Sequence, residues 1–532
     1  MENFEKLKQI VESFSSDIKN TGRFLWENAE IGRHEFKGSA FLAELYEKNG
    51  FVVERGVGGF PTCYIATFEN GTDGPSLGIF SDFDALPGMA LDRSGNPGHG
   101  CMHNLYTATT VGTALSLREY MLEENICGKI TVFGAPAEEC GGAKQYLARQ
   151  GLLNGIDAFF GVHPVSIDNG VMFRKHIAIL MKKYRFFGKS AHVFDTDFKG
   201  HNALLAAQYF MIGLEFFKGQ KNTDSKVNAI ITDGGKMTNR ITDFAEVECG
   251  YRCQTRDMIE QDEIQIDIIA ESAAKALQCQ VEIIETGRYF NTLPNHTLAN
   301  IAQHNAELVG SPQYTADEQR EAVEKGFSQG FYTEIKPLPE EPVLIMGGTD
   351  EGDASWLAPW LRISLASCPP EVSGHSFDLV EYANKDYVYK GILATALVTA
   401  MTCVDLLTNP DLLAEAKTEN SKQQESNPYI PAKQKFPPAL LFPQTPGVTV
   451  NPDSIRIDLE QCDLFKGLSG VNFIAEMNGE IVGEARLENE KVLTIPFTTE
   501  IDSKQSGKIL FFDIEVLMQE TAYPYTYSYF FT

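Results

Sequence analysis

The 532-residue chain is short of positive charge: 45 Lys and Arg stand against 72 Asp and Glu, for a formal net charge of −27. That balance excludes nucleic acid or an anionic membrane as the expected partner, because both are held by basic surfaces. It says little about a small substrate, since a cleft can carry local charge of the opposite sign. Long apolar runs are missing as well. The longest, Gly391 to Val404, is short for a membrane span and runs into Asp405, so it reads as a buried helix. The opening Met-Glu-Asn-Phe-Glu-Lys-Leu-Lys is charged and lacks the apolar core of a signal peptide. Cysteine is sparse: ten are scattered along the chain, and only Cys249 and Cys253 lie close together. There is no disulfide framework here, and a reducing cytoplasm is expected. With 43% hydrophobic and 22% charged residues the composition is that of a globular protein. The length allows several domains with large cores.

Hydrophobic periodicity predicts amphipathic helices at 4–20 and 36–49, then apolar strands at 51–55, 63–68, 76–81, 129–134 and 158–162, with helices at 105–123 and 143–150 between them. Strands alternating with helices imply an α/β sheet covered on both faces. From about Met181 the texture changes to strands at 182–187, 226–232 and 245–252 with helices at 203–217 and 261–277. This reads as an inserted α+β unit. The fold class expected is therefore α/β: a catalytic domain over 1–178 and 289–425, interrupted by an inserted domain at 179–288. The polar stretch Glu415 to Pro438 reads as a linker, with its core at 426–438, and 439–532 as an all-β, sandwich-like domain of open role.

Against this background five side chains of metal-ligating type follow one another in distinct local signatures. Cys101 and His103 lie in Gly-His-Gly-Cys-Met-His-Asn, Glu139 in Pro-Ala-Glu-Glu, His163 in Gly-Val-His-Pro and His375 in Ser-Gly-His-Ser-Phe. Taken singly each has an ordinary reading: a buried Cys, a helix-capping His, a solvated acidic turn. A thiolate, three imidazoles and a carboxylate together exceed what one tetrahedral ion takes, and suggest two divalent ions that activate a water for hydrolysis. Glu138 and Asp84 are spare carboxylates beside these ligands, placed for proton transfer or for holding an imidazole in one tautomer. Asp350 and Asp353, in Thr-Asp-Glu-Gly-Asp-Ala-Ser-Trp, either support the site from another loop or form a turn, and the turn reading is favoured.

These stretches resemble the aminoacylase, hippurate hydrolase and carboxypeptidase group of two-metal peptidases. The branch is the one with a Cys-x-His ligand pair, and within it the aminobenzoyl-glutamate hydrolases. The likeness runs from Trp26 to about residue 430, through His-Gly-Cys-x-His-Asn-Leu, Pro-x-Glu-Glu, His-Pro, Thr-Asp-x-Gly-Asp-x-Ser-Trp and a closing Asn-Pro-Tyr. The resemblance implies that Cys101, His103, Glu139, His163 and His375 bind two ions, Mn or Zn. It implies that Glu138 is general base and acid, with Asp84 behind the site. It further implies that the inserted domain mediates dimerisation, that His192 reaches the partner's active site, and that Asn239 and Arg252 hold the substrate's carboxylate. Met102 departs from the glycine usual between the two ligands. A positive φ there would strain it, and the expectation is that its side chain points away and is tolerated.

The function expected is hydrolysis of the amide bond of an N-acyl or aroyl amino acid such as p-aminobenzoyl-glutamate, or of a small dipeptide, by a cytoplasmic homodimer or a heteromer with a homologous subunit. Two rivals stand beside it: a thiol hydrolase using Cys101 and His103, and a non-catalytic partner protein of the same fold.

Overall fold

Runs of buried residues decide the central layer. The computed structural model describes residues 2–431 apart from 165–168, 195–198 and 221–224, and beyond them eight strands between Ala439 and Phe530. Seven strands form one mixed sheet in the order Val52–Arg55, Tyr64–Asn70, Gly128–Gly134, Ser76–Ser81, Ala158–Gly161, Trp360–Ser364, Gly170–Met172. Its middle is parallel: Ser76–Ser81 runs between Gly128–Gly134 and Ala158–Gly161, and Trp360–Ser364 extends the same direction. Alternation along a strand sends neighbours to opposite faces. Leu77 and Ile79 pack with Val111, Leu115 and Ala396 on one side, whereas Phe80 packs with Phe133, Phe159, Tyr146 and Leu147 on the other.

The apolar stretch at 391–404 lies within the helix Tyr389–Thr408, whose Ile392, Ala396, Thr399 and Cys403 are buried. Among the described residues the segment Asp386–Thr408 alone is long and apolar enough to cross a membrane, and it packs here against the helices His103–Glu124 and His296–Val309. A core helix passes the same compositional test.

The region from Ala178 to Tyr289 builds a separate antiparallel sheet in the order Gln280–Tyr289, Ala178–Phe187, Phe244–Cys253, Lys226–Asp233. Its core joins Tyr184, Phe186, Val247 and Tyr251 to Phe210 and Leu214 of the helix Ala203–Gly219 and to Ile266 of the helix Arg256–Ala276. The Gln280–Tyr289 strand escapes a periodicity reading because most of its residues are only half-buried. The outer face of the Ala203–Gly219 helix leaves Leu205, Tyr209, Ile212 and Phe216 exposed, Phe216 at 70%.

One boundary differs from expectation. The polar stretch from Glu415 begins inside a helix, Pro410–Gln423, which starts on a proline in its first turn and buries Leu413, Ala416 and Asn420. That stripe is narrow enough to look like linker composition. The following residues are tied down as well: the Arg256 guanidinium, stacked 4.1 Å from the Trp356 ring, donates from Nη2 to the Pro428 carbonyl at 2.5 Å, and the Tyr429 hydroxyl donates to Asp353 Oδ1 at 3.1 Å. Residues 432–438 lie outside the described ones. Beyond them the strands form a five-stranded sheet and a three-stranded sheet, with no helix among the described residues.

A charged layer of the core lies under the central sheet. Glu351 is fully buried and accepts from Tyr106 Oη at 2.8 Å, Trp360 Nε1 at 2.6 Å, and Arg362 Nε and Nη2 at 2.9 Å each. Burial alone would raise its pKa, but the Arg362 guanidinium outweighs it and holds the carboxyl at about 2, against the ordinary 4.5. A depressed native pKa contributes stability above pH 4.5 that is lost as the pH falls toward 2. Glu351→Gln is expected to cost about 3–5 kcal/mol at neutral pH by leaving Arg362 unpaired. The gap to wild type should close between pH 4.5 and about 2, read from urea midpoints across that range.

Candidate metal centre

Three parallel strands end at one edge of the sheet, and the loops that leave them carry most of the candidate residues. Ser76–Ser81 leads to Asp82 and Asp84, Gly128–Gly134 to Glu138 and Glu139, and Ala158–Gly161 to His163. Ligand sites of open α/β sheets form at this edge. The helix His103–Glu124 starts there and presents His103 in its first turn.

The donor atoms converge in overlapping groups. Those of Cys101, His103 and His163 lie within 4.8 Å of one another, as do those of Cys101, Glu139 and His375, and those of His103, Glu138 and Glu139. Cys101 Sγ is 3.6 Å from His163 Nε2, and His375 Nε2 is 3.3 Å from Glu139 Oε1. Asp84 organises the group from behind. Its Oδ1 lies 2.8 Å from His103 Nδ1, and its Oδ2 accepts the Glu139 N–H at 2.9 Å. With Nδ1 donating to Asp84, His103 turns its Nε2 into the cluster. That Nε2 is buried with no hydrogen-bond partner, and the buried Glu139 Oε1 faces only the His375 ring. Converging donors of mixed N, O and S type, with one buried imidazole nitrogen left unpartnered, fit divalent transition-metal ions.

Charge shifts follow from this crowding. Burial pushes Glu138 up, and the nearby Asp350 and Glu139 charges add to it, to about 7. Burial, Arg362 and His103 hold His163 well below its ordinary range, so the ring stays neutral and able to coordinate. Burial would lower His103, but the charges of Cys101 and Asp84 outweigh it and keep the ring well above its usual value. Hydrogen bonds to Cys101 and Glu139 push His375 up to about 10.

Three of the ligand-bearing loops contain a non-glycine residue in the left-handed region: Met102 at φ 58°, Ala137 at φ 64° and His375 at φ 55°. Met102 does take the conformation a glycine would favour. Its side chain points away from the ligands and is fully buried in the cluster with Ile18, Leu105, Leu379 and Tyr382. Roughly 1–2 kcal/mol of backbone cost is thereby offset by about 1.5–3 kcal/mol of apolar burial. Such strain is concentrated at sites that need a fixed geometry.

His192, Asn239 and Arg252 do not join the cluster. His192 bridges Arg240 in the inserted unit, the Val193 N–H donates to the Asn239 carbonyl at 3.1 Å, and all three residues are exposed. Arg252 donates from Nη1 to the Met346 carbonyl at 3.3 Å.

Asp350 sits in a turn as expected, whereas Asp353 lies in the short helix Gly352–Leu357, and neither is at the surface. Both are buried: Asp350 Oδ1 and Asp82 Oδ1 each lie 2.6 Å from Lys144 Nζ, and Asp353 takes Arg149 at 3.0 Å. The available signals are Lys144 at the start of an otherwise buried helix and Arg149 at its end. A buried cation requires acids to meet it. Glu35 has no local signature at all. It is buried and pushed up to about 8 by burial and the Asp84 charge.

The model of peptidase family M20/M25/M40 matches residues 78–355. The chain is 25% identical over 446 residues to a component of the p-aminobenzoyl-glutamate hydrolase of Escherichia coli (strain K12), one named as a subunit of that enzyme; the match covers 76% of this chain and 92% of that protein. It is 27% identical over 410 residues to the Xaa-Arg dipeptidase of Mus musculus, covering 75% and 87%. In fold it is similar to the crystal structure of an aminobenzoyl-glutamate utilization protein from Klebsiella pneumoniae, with a TM-score of 0.54 at 17% identity over 74% of this chain and 98% of that one. A cluster of metal-type donors at the strand ends and a family match across the loops that carry Cys101, His103, Glu139 and His163 lead to one conclusion: the chain belongs to peptidase family M20/M25/M40 and is a hydrolase of carbon–nitrogen amide bonds.

Proposed function

We propose that the protein hydrolyses the amide linking an acyl or aroyl group to an amino acid, with p-aminobenzoyl-glutamate as the model substrate. The observation that carries this reading is the pair of donor triads sharing the Cys101 sulfur, with the Glu138 carboxylate beside them. Cys101, His103, Glu139, His163 and His375 would hold two divalent ions, Mn or Zn. Ions bound there would polarise the scissile carbonyl and lower the pKa of a water from about 15.7 toward about 7.

Glu138 takes that water's proton and returns it to the leaving nitrogen. Burial and the Asp350 and Glu139 charges raise the proton affinity of Glu138, which favours accepting the proton before it is returned. Asp84 fixes the His103 tautomer and the Glu139 backbone. The substrate's carboxylate is assigned to Asn239 and Arg252, and the developing oxyanion to a hydrogen bond from the partner subunit's His192. The exposed apolar stripe Leu205, Tyr209, Ile212 and Phe216, near the outer edge of Lys226–Asp233, supports a homodimer built through the inserted unit. The subunit designation of the E. coli relative supports a heteromer as the alternative. A dipeptide substrate is the second reading, favoured by the likeness to the Xaa-Arg dipeptidase. The nine described cysteines are free, in keeping with a cytoplasmic enzyme.

Metal analysis of the purified chain is expected to find two ions per protomer, and chelation should abolish turnover. Survival of activity in EDTA, with loss on thiol alkylation, would assign the chemistry to a Cys101 nucleophile instead. Glu138→Ala should retain both ions and lower kcat by roughly 10²–10⁴-fold; an active variant removes this residue from the role. Phe216→Glu should shift sedimentation toward the monomer and depress activity with metal content unchanged.

A further inference from the structure

Glu35 has no exposed surface and enters the interior just before the helix Phe36–Lys48. Burying an acid is costly unless its oxygens are met. Both are met, by groups distant in the chain. Oε2 accepts from Thr62 Oγ1 at 2.8 Å, and Oε1 accepts the Ala137 N–H at 2.8 Å. Ala137 is itself fully buried, so without this acceptor its N–H would have no partner.

Ala137 begins the turn that carries Glu138 and Glu139. It is held left-handed at φ 64° and ψ 30°, and its carbonyl accepts from the Cys140 N–H at 3.0 Å and the Gly142 N–H at 2.7 Å. Two residues on, the Glu139 N–H is taken by Asp84 Oδ2 at 2.9 Å. Two buried carboxyl groups thus grip the amides on either side of Glu138, one from the N-terminal segment and one from the loop after Ser76–Ser81.

We infer that Glu35 is a positioning residue: through the Ala137 amide it fixes the left-handed turn that aims Glu138 and Glu139 into the metal centre. The inference rests on the roles proposed above for those two glutamates and adds a residue outside the donor cluster. A purely structural Glu35 would matter for stability and nothing else. A positioning Glu35 would matter for the 134–142 segment, for ion retention and for kcat.

The test uses the full chain with Glu35→Ala and Glu35→Gln, the glutamine keeping an oxygen for the Ala137 N–H without a charge. Hydrogen–deuterium exchange on metal-free protein reads the turn directly, zinc release to a chromophoric chelator reads retention, and steady-state kinetics separate kcat from KM. Glu35→Ala is expected to speed exchange within 134–142 while the central strands keep their protection. It should release zinc faster and lower kcat roughly ten- to hundredfold with KM little changed. Glu35→Gln should return all three readings close to wild type. If Glu35→Ala does not fold, Glu35→Asp, which withdraws the carboxylate by one methylene, takes its place with the same expectation. Unchanged exchange at 134–142, or a glutamine variant as impaired as the alanine, overturns the inference. The exchange measurement needs neither metal nor substrate, so a wild-type chain that hydrolyses no acyl amino acid would defeat the functional reading and leave this one to its own result.

Discussion

The centre depends on one carboxylate reaching two ways. Asp84 takes the His103 ring with one oxygen and the Glu139 backbone with the other, so the start of a helix and the loop after a neighbouring strand are set against each other by a single side chain. Fixed relative geometry is what a cation site asks of its ligands, and outer groups of this kind determine ring orientation and basicity. The interaction forms across the ends of adjacent parallel strands, which the sheet order places side by side. Sheet topology thereby becomes ligand geometry.

Around that joint the protein concentrates charge where a hydrophobic core would ordinarily be. Asp82, Asp350, Glu351, Lys144 and Arg362 are all buried, and every acid among them has a cation within hydrogen-bonding reach. Such a layer adds little net stability compared with apolar packing. Its effect is directional: beyond the burial that raises the Glu138 proton affinity, Asp350 of this layer raises it further, while Lys144 holds Asp350 in place and partly opposes the shift. Met102 shows the complementary device, an apolar anchor that holds two ligand-bearing residues at the cost of a left-handed backbone.

Much of this is readable from residues. The apolar strands at 76–81, 129–134 and 158–162 and the long helix after His103 lie within a residue or two of where periodicity puts them, because each is buried on both sides and carries an unbroken signal. The five donors are legible through their local signatures, and they do converge. The interior ions are not. Asp350 and Asp353 sit in a Gly- and Asp-rich stretch whose composition is that of a surface turn, and only the partner at Lys144 or Arg149, some two hundred residues earlier, reveals them as buried. Glu35 is hidden for the same reason, since its acceptor role is defined by an amide a hundred residues away. Pro410–Gln423 is obscured by polar composition that leaves only a thin buried stripe. Local pattern carries element type; long-range pairing of charge does not leave a local pattern.

Because the Cys101 sulfur belongs to both donor triads, the two halves of the centre are not independent. Oxidation or alkylation of that sulfur would remove a donor from both triads at once. In the proposed centre, one atom would therefore tie the binding of both ions to the redox state of the surroundings.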